Sequence, residues 1–371
     1  MPVHFFGDVA CFDETQFYIA LGQLGIGVSR DSVNEVRPGH RSAYCERRQN
    51  VVNIPTDPSQ TVSVHRIQIP NPFFEGDTNV YLLDTEPLTL IDTGIGTEAA
   101  FKSLSAGFQA AGHRIESLER LILTHKHQDH FGLSRRLQDL TGCEVFIHED
   151  DLRDVTHVSE RLDEYVGIIQ ERLTGWGVPT ADIEHVSSMP YRLDKLCGST
   201  AAQSLSDGQR LKCGETEMEV IHTPGHTVGS ICLQLENYLF TGDHVLPGYT
   251  PNIGGADIEY NGLLGMYLKS LERIAGFDRP GLTVLPGHHD PVTDLTAHVQ
   301  KTVAHHAQRE SQIVDLLTGG VGLSVYEIAI KMFGTMHDFH LVLGTGEVHT
   351  HLELLLDKNQ VVHEAGRYYS A

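Results

Sequence analysis

Short apolar runs separated by turn-forming residues begin near position 61 and predict a series of β-strands. In the first half of the chain these strands alternate with segments that favour helix. The strands are expected at 62–69, 80–83, 88–92, 121–124 and 144–147, and the helices at 98–111 and 133–140. Strands that alternate with helices indicate a layered α/β core.

A second strand-and-helix half follows an interruption. Residues 151–200 form an insert with a charged helix expected at 159–172 and a loop at 175–190, and the insert suits a lid or a dimerisation segment. The remaining strands are expected at 217–221, 230–235, 238–241 and 282–285, with a helix at 263–274. The second half therefore repeats the layered pattern of the first.

The pattern changes again after about residue 305. Ser324 is followed three residues later by Glu327, and this spacing predicts a capping box at the start of a helix. The tail is expected to contain a helix through 317, a helix from 324 to 333, a helix at 347–356 and a hairpin at 361–369. Helices followed by a hairpin favour a winged-helix module.

Composition and charge narrow the class of protein. The 371 residues are 40% hydrophobic and 20% charged, which is ordinary for a globular protein. A formal net charge of −22 disfavours attraction to nucleic acid or to anionic lipid. The sequence has neither an apolar run of the ~20 residues that a membrane span needs nor an apolar leader. We therefore expect a cytoplasmic protein with no membrane partner.

The strongest chemical signal is the run HKHQDH at 125–130, directly after an apolar strand. Strand ends in an α/β layer present side chains to a crevice, and alternate residues of an extended segment project to one side. His125 and His127 can therefore share one metal ion, while Asp129 and His130 can face a second. Imidazole nitrogen and carboxylate oxygen both suit Zn²⁺.

Three later turns offer further ligands. His226 and His288 each follow Pro-Gly, and Asp243 follows Thr-Gly. Each lies after an apolar strand, and the glycine allows the backbone to approach an ion closely. Each turn alone is a weak signal, but together, in this order after the histidine cluster, they indicate a metal site.

Together with Asp92, these motifs resemble those of the metallo-β-lactamase-fold hydrolase superfamily over about residues 61–300. The resemblance implies an α/β fold, a four-layer αββα sandwich, followed by a C-terminal winged-helix domain. The tail is similar to that of the subgroup that includes the β-lactamase-like protein 2 type. The implied division is an N-terminal extension at 1–60, a catalytic domain at 61–304 with the insert at 151–200, and a winged-helix-like domain at 305–371.

The resemblance also implies two Zn²⁺ ions, or another divalent first-row metal. The implied ligands are His125, His127 and His226 for one ion, and Asp129, His130 and His288 for the other. Asp243 would bridge the ions, and Asp92 would hold the ligand loops through hydrogen bonds. A hydroxide between the ions would attack carbon or phosphorus, since metal binding lowers the pKa of water to about 7. Asp129 and Asp243 would be the catalytic carboxylates.

Two classes of hydrolase remain open. One acts on a small-molecule ester, thioester, lactone, amide or activated aryl electrophile, with a hydrolytic dehalogenase as a further alternative. The other is a metal-dependent endoribonuclease, as relatives with a winged tail suggest. Residues 301–371 carry a net charge of −3, whereas phosphate docking needs a basic face. Charge therefore favours a small-molecule substrate over nucleic acid.

The substrate is expected to meet residues on the segment that follows Asp243. The candidate contacts are His244, Tyr249, Asn252 and Tyr260. The winged module is expected to pack on the core or on a second copy of the chain, which allows a homodimer.

The charge balance generates a prediction about salt. With the best substrate found, kcat/KM should change less than about threefold between about 50 and 200 mM salt, because salt screens only long-range charge. A nuclease that contacts about six phosphates should lose affinity by ~10³ or more over that range. Strongly salt-dependent RNA cleavage that is abolished by charge reversal at Lys331 or Lys358 would favour the ribonuclease.

Overall fold

The structure is a computed structural model, and it describes residues 51–54, 61–73, 75–189 and 194–371. The extension predicted at 1–60 lies outside these residues except for 51–54. No helix in the described part of the chain is long and apolar enough to cross a bilayer.

Strands of the first half of the chain form one mixed sheet whose order follows the sequence. The strands are β1 Val51–Asn53, β2 Val64–Ile69, β3 Thr78–Leu83, β4 Thr89–Ile91, β5 Arg120–Ile122, β6 Glu144–His148 and β7 Gln203–Leu205. Neighbours pair antiparallel from β1 to β4 and parallel from β4 to β7. Because parallel strands end at the same edge, the loops after β4 and β5 emerge side by side.

A second sheet contains the strands of the other half. It consists of β8 Arg210–Cys213, β9 Thr216–His222, β10 Ile231–Leu235, β11 Tyr238–Gly242 and β12 Thr283–Pro286, in the order β12-β11-β10-β9-β8. Only β11 and β12 pair parallel within this sheet of described residues. The predicted strands of both halves are confirmed to within a few residues, apart from the short strands β1, β7 and β8, which were not predicted.

The helices lie outside the two sheets and in the tail. They are α1 Glu98–Ala110, α2 Gln128–Phe131, α3 Ser134–Thr141, α4 Leu152–Thr156, α5 Val158–Gly175, α6 Thr180–Ser187, α7 Leu263–Ala275, α8 Leu295–Leu317, α9 Val325–Phe333 and α10 Asp338–Asp357. A hairpin of β13 Val361–Glu364 and β14 Arg367–Ser370 follows. The capping box predicted at Ser324 and Glu327 is confirmed by both of its hydrogen bonds.

The sheets pack face to face, and helices cover their outer faces. Ile122 of the first sheet and Phe240 of the second belong to one buried cluster between the sheets. Phe108 of α1 is buried against the outer face of the first sheet, and Tyr267 of α7 against that of the second. The layers therefore run helix, sheet, sheet, helix, and the predicted α/β core is confirmed.

Two predictions about helices are wrong. The loop expected at 175–190 contains α6, whose Ile183 and Val186 are buried against the tail. The last helix begins at 338 and not at 347, although Gly344 and Gly346 lie within it. Glycine lowers helix propensity, but here the buried packing of the helix outweighs that local preference.

The tail and the insert share one apolar core. Leu173 of α5 packs in the same cluster as Ile313 of α8, Ile328 of α9 and Leu352 of α10. Helix α8 is continuous through residue 305, so it belongs to both the sandwich and the tail. The insert is therefore part of the platform on which the C-terminal helices rest.

Helix α3 offers a matched test of the packing. Leu137 is fully buried in the core, whereas Leu140 is 45% exposed on the same helix. Leu137→Ala should lower the free energy of unfolding by about 2–5 kcal/mol, because it leaves a cavity. Leu140→Ala should change it by less than about 0.5 kcal/mol. Urea unfolding of the metal-free protein checks both values, and equal losses would contradict this placement of α3.

Candidate metal centre

The predicted ligands meet at one edge of the sandwich, on loops that follow strands of both sheets. Asp92 follows β4, and the 125–130 run follows β5 in the first sheet. The other candidates follow strands of the second sheet: His226 after β9, Asp243 after β11 and His288 after β12. The structure therefore brings together residues that are up to 196 positions apart in sequence.

Asp92 fixes the geometry of the histidine run. Its carboxylate accepts hydrogen bonds from the backbone N–H and the hydroxyl of Thr124, both at 2.8 Å. It also accepts one from Nδ1 of His130 at 2.9 Å. Because one carboxylate holds both Thr124, which precedes the run, and His130 at its end, the ring of His130 has a fixed orientation.

Two groups of donors lie next to each other. In the first group the donor atoms of His125, His127 and His226 all lie within 4.8 Å of one another. In the second group the same limit holds for Asp129, His130 and His288. Each group therefore has the size of a three-ligand site for one divalent ion.

The carboxylate of Asp243 lies between the two groups. Its Oδ2 is 3.8 Å from Nε2 of His226 in the first group and 3.5 Å from Nε2 of His288 in the second. Its Oδ1 is 3.4 Å from Nε2 of His130. A Cβ atom at Gly287 would collide with Oδ1 of Asp243, so this approach requires glycine.

The candidate ligands fit a divalent metal because the atoms that face the centre are buried and have no hydrogen bonds within the described part of the chain. Among the described residues no hydrogen-bond partner exists for Oδ1 of Asp243 or for Nε2 of His125, His130, His226 and His288. The Nδ1 atoms of these histidines bond to protein oxygen atoms. Each ring therefore turns its Nε2 towards the centre, as in a histidine that binds metal.

His127 uses the opposite nitrogen. Its Nε2 lies 3.1 Å from Oδ2 of Asp257, so Nδ1 is the ring nitrogen that remains to bind a metal ion. Oδ1 of Asp257 is in turn 2.7 Å from the buried Nζ of Lys126, which also contacts Glu259 at 3.3 Å. Sequence analysis missed Asp257, and the charged Lys126 between two candidate ligands was the only signal that a buried acidic partner was needed.

Electrostatics favour the neutral, metal-binding form of two histidines in the first group, whereas the hydrogen bond to Asp257 raises the pKa of the third, His127, in spite of its burial. Burial, with other imidazoles nearby, holds the pKa of His125 well below its usual range. Burial and His127 lower the pKa of His226 to about 4. Burial alone would lower the pKa of His288, but the carboxylates of Asp243 and Asp129 raise it to about 10. Binding of an ion would therefore release a proton from the second group.

The predicted substrate contacts have different surroundings. The buried hydroxyl of Tyr249 has no hydrogen-bond partner in the described part of the chain, and its ring packs edge-on against His289 at 5.4 Å. The buried ring of His244 packs against Tyr267 at 5.1 Å. Lys126 lies over the ring of Tyr260 at 5.1 Å.

Asn252, the fourth of these candidates, is fully engaged within the protein. Its side-chain oxygen accepts from the backbone of Gly255, and its nitrogen donates to Glu347 at 3.1 Å. Its backbone oxygen lies 3.2 Å from Nδ1 of His226. Asn252 therefore contacts a candidate ligand through its main chain.

The sandwich and its buried histidine–aspartate centre define a metal-dependent hydrolase. The profile of the Metallo-beta-lactamase superfamily matches residues 74–288, which include every candidate ligand. The chain belongs to this superfamily.

Curated relatives are similar over most of the chain. The "probable metallo-hydrolase YqjP" of Bacillus subtilis is 27% identical over 304 residues, which cover 80% of this chain and 92% of that protein. The lactamase-like protein adaB of Aspergillus niger is 28% identical and covers 78% of each chain.

Solved structures share the fold. A metallo-beta-lactamase family protein of Thermus thermophilus is 26% identical with a TM-score of 0.71, over 83% of this chain and 98% of that one. A beta-lactamase domain protein of Burkholderia ambifaria has a TM-score of 0.72 at 24% identity, over 86% of this chain and 94% of that one.

Removal of the Asp92 carboxylate should weaken metal binding. Asp92→Ala leaves Nδ1 of His130 and the donors of Thr124 without their acceptor. The loss of such an outer partner typically lowers metal affinity by about 10–100-fold. Competition with a chromophoric chelator measures the affinity. The exposed Asp139→Ala is the control, and equal affinities of the two variants would show that His130 does not depend on Asp92.

Proposed function

We propose that the protein is a dinuclear zinc hydrolase that acts on a small-molecule ester, thioester, lactone, amide or activated aryl electrophile. The observation that carries this proposal is the position of Asp243, whose carboxylate faces histidines of both donor groups. The ligands of the first ion are His125, His127 and His226, those of the second are Asp129, His130 and His288, and Asp243 is shared.

Two bound zinc ions supply Lewis acidity and lower the pKa of water to about 7. The residues of the chain then orient the reactants. Asp129 is held by Asn71, whose side-chain nitrogen donates to Oδ2 at 2.9 Å. With its carboxylate fixed in this way, Asp129 is placed to accept a hydrogen bond from the attacking water.

Tyr249 is the substrate contact that the structure supports best. Burial and the nearby carboxylate of Asp243 raise the pKa of its hydroxyl well above the usual range, so the group stays protonated. A buried hydroxyl without a partner is costly, and a substrate oxygen would accept its hydrogen bond. Tyr249 would thus hold the oxygen of the bond under attack.

The ion pairs of the tail support a small-molecule substrate over RNA. Three of its four lysine and arginine residues pair with carboxylates of the tail itself: Arg309 with Glu347, Lys358 with Glu310 and Arg367 with Glu327. These cations are already neutralised and offer little to phosphate. The helices and hairpin of the tail nevertheless support a place in the subgroup with a winged-helix tail.

A substrate panel tests the proposed function. The zinc-loaded protein is assayed with p-nitrophenyl esters, thioesters, lactones, an activated aryl halide, bis-p-nitrophenyl phosphate and a short RNA. We expect turnover of at least one carbon electrophile and little cleavage of RNA. Efficient RNA cleavage without turnover of the other substrates would favour the endoribonuclease.

Asp243→Ala tests the bridging role. The wild-type protein should bind two zinc ions per chain, since both donor groups are complete. The variant should retain its fold but lose one ion and at least about 99% of kcat, because removal of a central catalytic interaction typically costs 10²-fold or more. Elemental analysis and steady-state kinetics measure both, with Asp139→Ala as the control. Near-normal activity of the variant, or one ion in the saturated wild type, would contradict the dinuclear site.

A further inference from the structure

One loop holds two histidines of the first donor group from behind. It contacts the ring nitrogen of each histidine that does not face the centre. We call residues 252–257 the support loop. The backbone oxygen of Asn252 pairs with His226, and the carboxylate of Asp257 pairs with His127. These contacts fix the donor nitrogen of each ring.

The second donor group has its outer partners elsewhere. His130 is held by Asp92 on the loop after β4. His288 lies 3.2 and 3.1 Å from the backbone oxygens of Gly76 and Asp77, and Asp129 is held by Asn71. A displacement of the support loop would therefore disturb the first donor group and leave the partners of the second in place.

The support loop rests on α10 of the tail. The side chain of Asn252 donates to the backbone oxygen of Leu343 at 3.3 Å and to Oε2 of Glu347 at 3.1 Å. The two backbones approach so closely that a Cβ atom on Gly346 would collide with the carbonyl oxygen of Gly254. The glycine that weakens α10 locally is thus required for this contact.

Glu347 joins the support loop to a second helix of the tail. Its Oε1 lies 3.1 Å from a guanidinium nitrogen of Arg309 on α8, and both side chains are largely buried. Arg309 also lies over the ring of Phe333 at the end of α9. A continuous path of contacts runs from Arg309 through Glu347 and Asn252 to His226.

We propose that the C-terminal helices set the metal affinity of the first donor group through the support loop, with Glu347 as the positioning residue. This inference rests on the proposed two-ion centre. Glu347 touches neither ligand nor substrate and acts through Asn252. The tail is therefore part of what shapes one of the two metal positions.

Glu347→Gln is the central variant. The glutamine keeps the size of the side chain, but its NH₂ group would face either the NH₂ of Asn252 or the guanidinium of Arg309. One of the two contacts is therefore lost. Loss of an outer partner typically lowers metal affinity by about 10–100-fold, and we expect ~10-fold for this more distant contact.

The experiment separates the two donor groups by using full-length backgrounds in which one group is disabled. His288→Ala retains the first group, and His226→Ala retains the second. Zinc affinity is measured in each background by competition with a chromophoric chelator, and the visible spectrum of the Co²⁺ form reports the ligand geometry. Glu347→Gln should weaken binding ~10-fold and alter the Co²⁺ spectrum in the first background, and change affinity by less than about twofold in the second.

Glu310→Gln is the matched control. Glu310 on α8 pairs with Lys358, the residue that follows α10, with Nζ and Oε2 2.5 Å apart, and this ion pair does not involve the support loop. We expect it to leave the affinity of both backgrounds unchanged. Equal losses in both backgrounds, the same loss in Glu310→Gln, or no loss in Glu347→Gln would each overturn the positioning role.

A stability measurement and a replacement variant guard against the possibility that Glu347→Gln fails to fold. Thermal unfolding of each metal-free variant shows whether the fold survives. If Glu347→Gln does not fold, Asn252→Ala takes its place, since it removes the side-chain contacts but keeps the backbone oxygen that pairs with His226. A wild-type protein that binds one ion contradicts the proposed function, whereas a two-ion protein that is insensitive to these variants contradicts only the role of Glu347.

Discussion

Buried imidazole nitrogens that have no hydrogen-bond partner in the described part of the chain are the constraint on which the rest of this structure depends. A buried polar atom that lacks a hydrogen bond costs about 1–3 kcal/mol, and the Nε2 atoms of four histidines and Oδ1 of Asp243 meet here without a hydrogen-bond partner among the described residues. Such a cluster persists only where the surrounding fold holds each ring in place. A bound divalent ion would accept these nitrogen and oxygen atoms as ligands and so remove the energetic cost of burying them. Metal binding would therefore stabilise the fold around the centre.

The sandwich holds the histidine rings in place through the loops at one of its edges. The loops that carry the donors leave buried strands, and each histidine ring is held from behind by a protein oxygen atom. Close backbone approach adds to the rigidity. Gly242 adopts a φ of +48°, and a side chain there would collide with Thr124, whose donors hold Asp92. Two sheets are thereby locked together at the point where the two donor groups meet.

The tail supports the first donor group indirectly, through the support loop. Its helices share an apolar core with the insert. Helix α10 contacts the support loop, which in turn holds His127 and His226. The largely buried pair of Arg309 and Glu347 joins α10 to α8. If the proposals made above hold, the tail acts as a scaffold, and the net charge of −22 disfavours its use as a docking surface for nucleic acid.

The sequence by itself determined the features that depend on local spacing. Alternating runs determined the strands, Ser324 and Glu327 determined a capping box, and the 125–130 run placed two donors on one side of a strand end. The motifs with Pro-Gly and Thr-Gly turns indicated the remaining candidate ligands, because histidine and aspartate side chains are themselves metal-binding groups.

Only the tertiary structure decided which distant residues support those ligands. Asp257 and the backbone oxygen of Asn252 belong to no motif, and a main-chain oxygen leaves no trace in the residue type. The early start of α10 and the presence of α6 were likewise missed, because buried packing there outweighs weak local preferences. Local sequence specifies donors and elements, whereas the partners that orient the donors arise from contacts between segments far apart in the chain.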